Sequence, residues 1–241
     1  MGRIGTLFID KGGVLVNNDT LSAQYRRLLG DFLAPRLGRT PATWSAANVP
    51  AFERQLARWK VAATTAAGPA SVAGWFDSDA REWLWDMCDE AYVARPSEQD
   101  ADRIARDALR YVRGHLAIEV PRVVDELRAL RARGLTLHVA SGDAHDDLVQ
   151  YLESIGARDV FDRVYGADLV NTWKLGPEYY RSVLADCGVD PRSAFVIDDS
   201  RDAIAWAAEC GLRGFLVERA PAEDFEEAVL RTFAEVERAL E

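Results

Sequence analysis

Four short polar stretches in this 241-residue chain combine residue types that can carry out group transfer. Asp10 is followed by Lys11 and two glycines, Gly12 and Gly13. Ser141-Gly142 comes next, then Lys174 just ahead of Pro177, and last the pair Asp198-Asp199 before Ser200. A carboxylate beside glycines, with backbone N–H groups close by, can act as a nucleophile toward phosphorus or carbon. Two more carboxylates can share an oxygen-preferring cation with it, since Mg2+ is typically held by one or two carboxylates plus substrate oxygens and water. A serine just before a helix start offers a hydroxyl and N–H groups to an anionic oxygen. A lysine would offset the crowded carboxylates and the charge that develops in the transition state. Singly, each feature is commonplace, because Asp and Ser are ordinary turn and capping residues. Their order and common setting carry the argument.

That setting is strand–helix alternation. Ile4–Ile9 is a short apolar run bounded by Gly and Asp and reads as a buried strand. Leu135–Ala140, Asp162–Ala167, Ser193–Ile197 and Gly214–Val217 read likewise, the second more weakly. Between them Val120, Val123, Val124, Leu127 and Leu130 mark one helix face that stops at Gly134. Pro177 opens another helix, and Phe225, Val229, Phe233, Val236 and Leu240 form the stripe of the last. Such alternation predicts an α/β fold, a Rossmann-like parallel sheet with helices on both faces. Ligands of these sheets sit at the carboxyl ends of the strands, where Asp10, Ser141 and Asp198-Asp199 all fall.

Residues 17–114 differ in character. Tyr25, Leu28, Leu29 and Phe32 have helical spacing, strand-like alternation is lacking, and Pro35, Pro41, Pro50 and Gly68-Pro69 are read as breakers. Trp44, Trp59, Trp75, Trp83 and Trp85 cluster in this segment, and the tryptophan-rich stretch 75–85 is expected to form core of this helical insert. The expected organisation is an α/β core of residues 1–16 and 115–241 carrying an all-helical insert.

Composition narrows the function. A net charge of −10 repels nucleic-acid backbones and anionic membranes, so the expected partner is a small molecule. Apolar runs stay well short of the ~18 residues of a membrane span. Cys88, Cys187 and Cys210 are widely spaced and read as buried thiols, which suits a reducing, cytoplasmic setting. Lysine occurs only as Lys11, Lys60 and Lys174 among many arginines, which makes each worth inspecting. Lys11 and Lys60 are expected to point to solvent, and His145 to sit on a helix surface.

In combination the four stretches resemble those of the haloacid dehalogenase-like hydrolase superfamily. Its first motif, a strand followed by Asp-x-Asp-Gly-Thr/Val-Leu, corresponds to Leu7-Phe8-Ile9-Asp10-Lys11-Gly12-Gly13-Val14-Leu15. Its second corresponds to Val139-Ala140-Ser141-Gly142, its third to Lys174-Leu175-Gly176-Pro177, and its fourth to Val196-Ile197-Asp198-Asp199-Ser200. The resemblance implies a helical cap inserted after the first strand. It also implies Asp10 as a nucleophile forming an aspartyl intermediate, and Ser141 and Lys174 as groups that hold the transferred moiety and balance charge. Mg2+ would be bound by Asp10, the Gly12 carbonyl, Asp198 and Asp199. The implied reaction is hydrolysis of a small phosphorylated metabolite.

One departure matters. Where the family's phosphatases carry a second Asp as general acid and base, this chain has Gly12. Such help is typically worth ~10²–10⁴ in rate, so ordinary alkyl phosphates should be poor substrates. Three readings follow: a phosphoryl hydrolase with a good leaving group or a borrowed acid/base; a carbon–phosphorus or carbon–halogen bond hydrolase; or a catalytically idle binding protein. The paired Asp198-Asp199 favours the first, since carbon–halogen hydrolysis needs no metal. The carbon–phosphorus option would require Lys60 as an imine-forming lysine.

Overall fold

The computed structural model describes residues 5–64, 71–118 and 120–240. Ile4 and the expected Gly68-Pro69 break lie outside them. Five strands form one parallel sheet: β1 (Gly5–Ile9), β2 (Leu135–Ala140), β3 (Arg163–Tyr165), β4 (Ala194–Asp198) and β5 (Arg213–Leu216). Their order across the sheet is β3-β2-β1-β4-β5. The chain steps outward from β1 to β2 and β3, returns to β4 beside β1, and steps the other way to β5. The switch point therefore lies between β1 and β4, where doubly wound sheets open a crevice at the strands' carboxyl ends.

The strands are short, apolar and buried on both faces, as parallel strands must be. Alternate residues point to opposite faces. Phe8, Ala140, Tyr165 and Val196 pack with Tyr179, Tyr180 and Val183 of α7 (Pro177–Cys187) and Ala207 of α8 (Arg201–Glu209). On the other side α5 (Pro121–Ala132) packs against β2 and against α9 (Phe225–Leu240), which also meets β5. α5 buries Val123, Val124, Leu127 and Leu130, four of the five positions its periodicity marks, and the fifth, Val120, is buried as its N-cap. α6 (His145–Ser154) leads from β2 toward β3.

By its contacts the chain divides into two compact units, residues 1–20 with 117–241 and residues 21–116. The second unit is built from α1 (Asn18–Leu37), α2 (Pro41–Thr64), α3 (Val72–Glu90) and α4 (Glu98–His115). Its core gathers Leu29, Leu33, Trp44, Trp83, Leu84 and Met87. Two expected breakers fail to break. Pro35 lies in the last turns of α1 and Pro50 inside α2. An interior proline removes one helix hydrogen bond and crowds the preceding turn. α2 nonetheless continues, with Trp44, Ala47 and Ala51 buried around Pro50 and Arg58 reaching to Asp79 (2.6 Å) and Asp86 (2.6 Å) of α3. Among the described residues no helix is long and apolar enough to cross a membrane.

Candidate active site

Register assembles the site. Ile9 pairs with Val139 on one side and Ile197 on the other, so the residue after β1 emerges between the ends of β2 and β4. Asp10 is fixed there by its own N–H, which donates to the Ile197 carbonyl at 3.0 Å. Ser141 follows β2, its N–H donating to the Tyr165 carbonyl at 3.0 Å. Asp198 ends β4, with Oδ1 accepting from the Ser200 N–H at 2.9 Å. Lys174 arrives on the loop after β3, and its ammonium lies 2.8 Å from Asp10 Oδ1, 2.7 Å from Asp198 Oδ2 and 2.9 Å from the Ala140 carbonyl. Asp10, Ser141, Lys174 and Asp198 are thus buried together at the switch point, while Asp199 stands beside them at the surface.

The electrostatics follow from burial. Loss of hydration pushes the Asp10 carboxyl up to about 6, against the pull of Lys174 and with the push of Asp198. At neutral pH it is still mainly the carboxylate a nucleophile must be. Burial draws the Lys174 ammonium down, but the attraction of Asp10, with Tyr180 and Asp198 adding, outweighs it and holds the group well above the usual lysine range. Its surroundings therefore favour the charged form of Lys174. Partial burial and the neighbouring Asp198 also hold the Asp199 carboxyl above the ordinary aspartate range.

Asp10, Asp198 and Asp199 each present an oxygen, and the three lie within 4.8 Å of one another. Such a hard-oxygen set suits Mg2+. Two further observations fit a cation. The buried Asp10 Oδ1 has ion-pair contact with Lys174 but no aligned hydrogen bond. Gly13, at φ 68°, lies so close to Asp199 that a Cβ there would overlap the carboxylate. The glycine thus serves two needs, a left-handed turn and space for an acid packed against the loop. Gly12 sits in that same loop, half-buried.

Several supporting residues carry no motif. The Tyr179 hydroxyl donates to the Ser141 and Tyr165 carbonyls, 3.0 Å from each, and the Tyr180 hydroxyl lies 3.4 Å from Asp198 Oδ2. Both follow Pro177 on the buried face of α7, and a sequence shows them only as apolar periodicity. Lys11 corrects the expectation that it faces solvent. Its side chain is 14% exposed, ion-paired to Asp143, with the ammonium 5.7 Å from the centre of the Tyr151 ring. The parallel pairing of β1 and β2 sets the two post-strand loops side by side, which places an acid within its reach. The Nδ1 of His145 is bonded to the Val164 carbonyl at 2.8 Å. Lys60 is exposed on α2. Of the cysteines only Cys88 is fully buried, while Cys187 and Cys210 are half-buried.

Comparison with known proteins agrees with this geometry. Residues 4–211 match the family model of haloacid dehalogenase-like hydrolases. A probable phosphatase IndB of Dickeya dadantii (strain 3937) is 30% identical over 92 residues, 38% of this chain and 40% of that protein. A phosphoglycolate phosphatase of Salmonella paratyphi A (strain ATCC 9150 / SARB42) is 32% identical over 120 residues, 48% of this chain and 47% of that protein. The matched part of the chain thus spans less than half the length of either relative. Among solved structures, the defluorinating L-2-haloacid dehalogenase Rha0230 superposes with a TM-score of 0.64 at 17% identity, over 90% of this chain and 84% of that one. CbbY from Rhodobacter sphaeroides in complex with phosphate superposes with a TM-score of 0.58 at 18% identity, over 90% and 87%. At such identities these two share the fold. With the family model spanning nearly the whole sheet and all four polar stretches, the chain belongs to the haloacid dehalogenase-like hydrolases.

Proposed function

We propose that this protein hydrolyses a small phosphorylated substrate through nucleophilic attack by Asp10, with residues 1–16 and 115–241 as the catalytic core and the helical segment 17–114 as a cap that selects the substrate. The observation that carries the reading is the Lys174 ammonium set between Asp10 (2.8 Å) and Asp198 (2.7 Å), with an Asp199 oxygen in the same cluster. A paired second acid beside the nucleophile is what phosphoryl transfer uses and what carbon–halogen displacement does without. We take the setting to be cytoplasmic and the partner a small metabolite. Free thiols at Cys88, Cys187 and Cys210 support a reducing compartment.

In this mechanism an Asp10 oxygen attacks phosphorus, the bond from phosphorus to the leaving oxygen breaks, and its electron pair departs with that oxygen. Water then attacks the aspartyl phosphate, which restores the Asp10 carboxylate and yields inorganic phosphate, the water proton passing to solvent. Lys174 holds its proton throughout and offsets the charge on the phosphoryl oxygens, and the Ser141 hydroxyl donates to one of them. A Mg2+ held by Asp10, Asp198, Asp199 and the Gly12 carbonyl would supply the neutralising charge that brings a phosphate up to these acids. Exclusion of bulk water makes each of these interactions stronger than it would be in solution.

The test is turnover of p-nitrophenyl phosphate, acetyl phosphate, phosphonoacetaldehyde and 2-chloropropionate, with and without Mg2+, beside Asp10→Asn. Mg2+-dependent phosphate release that is lost in Asp10→Asn is the expected result. Metal-independent chloride release would replace the reading with carbon–halogen hydrolysis. Silence on every substrate, with a Mg2+-dependent melting shift retained, would make the protein a binding module.

A further inference from the structure

The space next to Gly12 is occupied by Asn18. A Cβ built on Gly12 would lie 3.0 Å from Asn18 Oδ1 and 3.5 Å from its Nδ2, with no closer atom. The carboxamide is held there, because Nδ2 donates to Asp199 Oδ2 at 3.3 Å. Asn18 is also released from the duty its position would ordinarily impose. It opens α1, yet the N–H groups of Asp19 and Thr20 are accepted by Asn17 Oδ1 at 3.1 and 3.0 Å. Asn17 caps the helix, and the side chain of Asn18 is left for the site.

The strand order defines what it can do there. β2, bearing Ser141, and β4, bearing Asp198-Asp199, flank β1 on opposite sides. A phosphoryl group on Asp10 has Ser141 along one flank and the Asn18–Asp199 pair along the other. We propose that Asn18 is the leaving-group residue of this site: its second amide N–H donates a hydrogen bond to the leaving oxygen and transfers no proton. The inference rests on the hydrolase reading above and names its substrate class. As the phosphorus–oxygen bond breaks, the electron pair stays on an oxygen that departs as an anion, taking any proton from water, and the Asn18 amide keeps both hydrogens. Phosphates whose leaving oxygen is stable as an anion, acyl and aryl phosphates, meet that requirement. Alkyl phosphates do not.

The test compares acetyl phosphate, phenyl phosphate and glycerol 3-phosphate in the wild type, Asn18→Ala and Asn18→Asp, all in the full chain with Mg2+. The wild type should favour acetyl over glycerol phosphate by at least ~10²-fold in kcat/KM, the low end of what an acid contributes. Asn18→Ala should lower kcat on phenyl phosphate by about tenfold or more, a modest case of losing a donor to developing charge. Asn18→Asp, which adds a group able to hand over a proton, should narrow the acetyl-to-glycerol ratio at least tenfold, and a purely structural role would leave that ratio unmoved. Occupancy is read separately, without turnover. Gly12 has no positive φ, so Gly12→Ala strains only its contact with Asn18. It should lower Tm by on the order of 2–4 °C in the wild-type background and by less in Asn18→Gly. Equal melting losses in both backgrounds, or ratios unmoved by both Asn18 variants while the wild type turns over, overturn the assignment and leave the hydrolase reading standing. No turnover by any variant overturns both.

Discussion

Replacing Asp10 by Asn should make the metal-free protein more stable, and the size of the gain follows from the site's electrostatics. Burial, with Asp198 adding, lifts the Asp10 carboxyl from an ordinary aspartate's 3.8 to about 6. At ~1.4 kcal/mol per tenfold change in proton affinity, keeping that group ionised at pH 7 destabilises the fold by about 3 kcal/mol. Asn is nearly isosteric and uncharged, and Lys174 keeps Asp198 as its partner at 2.7 Å. That figure already includes the Lys174 attraction, and an amide replaces the neutral carboxyl imperfectly, so about 1–3 kcal/mol is expected, or a Tm higher by about 2–12 °C for a chain of this size. The sign with pH is fixed as well. The folded state binds the Asp10 proton more tightly than the unfolded chain does, so stability from this group is greatest below 3.8 and is lost as pH rises from there to about 6. The wild type should therefore close the gap on Asp10→Asn as pH falls from 7 toward 4. Urea denaturation of both proteins at pH 4.5, 6 and 7 in EDTA measures this. Saturating Mg2+ should then stabilise the wild type more than the variant, because the ion binds the folded carboxylates only. A variant less stable than the wild type at pH 7 in EDTA, or a gap that does not shrink toward pH 4.5, would refute the reasoning.

Lys174→Met leaves two buried carboxylates facing each other without a cation and should lower metal-free stability by ~3–5 kcal/mol; adding Asp10→Asn should restore part of it, both read by urea titration. Gly13→Ala places a methyl on the Asp199 carboxylate at a left-handed position, so it should lower Tm and abolish the Mg2+-dependent melting shift, as followed by differential scanning fluorimetry. Burial pushes the Cys88 thiol up to about 11, so Ellman's reagent at pH 8 should label Cys187 and Cys210 in the folded protein and reach Cys88 only after denaturation.

What the sequence made legible is what it writes locally. A short run such as Leu135–Ala140, bounded by Gly134 and Ser141-Gly142, reads as a buried strand, and its bounds coincide with β2. Asp10, Ser141 and Asp198-Asp199 were readable because each directly follows or ends such a run, and strand ends are where parallel pairing collects distant residues. Lys174 needed the family pattern, since it follows no strand directly, yet its ammonium proves central. What stayed hidden depends on partners far along the chain. Pro50 looks like a break until the helix face around it is seen to be buried. Lys11 looks solvent-bound until Asp143 is brought across from the neighbouring loop. Asn18 is one more polar residue at a helix start, and only the direction of the absent Gly12 side chain reveals it.

Charge bears on how the proposed site would fill. Asp10, Asp198 and Asp199 against the single ammonium of Lys174 leave two negative charges, and Lys11, the other cation of the loop, is committed to Asp143. A phosphate dianion entering such a site would meet net repulsion with little water to screen it, and low local dielectric enlarges that penalty. A divalent cation held by the three acids would cancel the excess, and in the proposed mechanism Lys174, Ser141 and Asn18 would then serve as donors to the phosphoryl and leaving oxygens. Burial, with the charge of Asp198 adding to it, is what lifts Asp10 to about 6. The proposed reading thus ties the expected gain in stability on Asp10→Asn, the expected response to Mg2+ and the expected preference for good leaving groups to one cluster of charges.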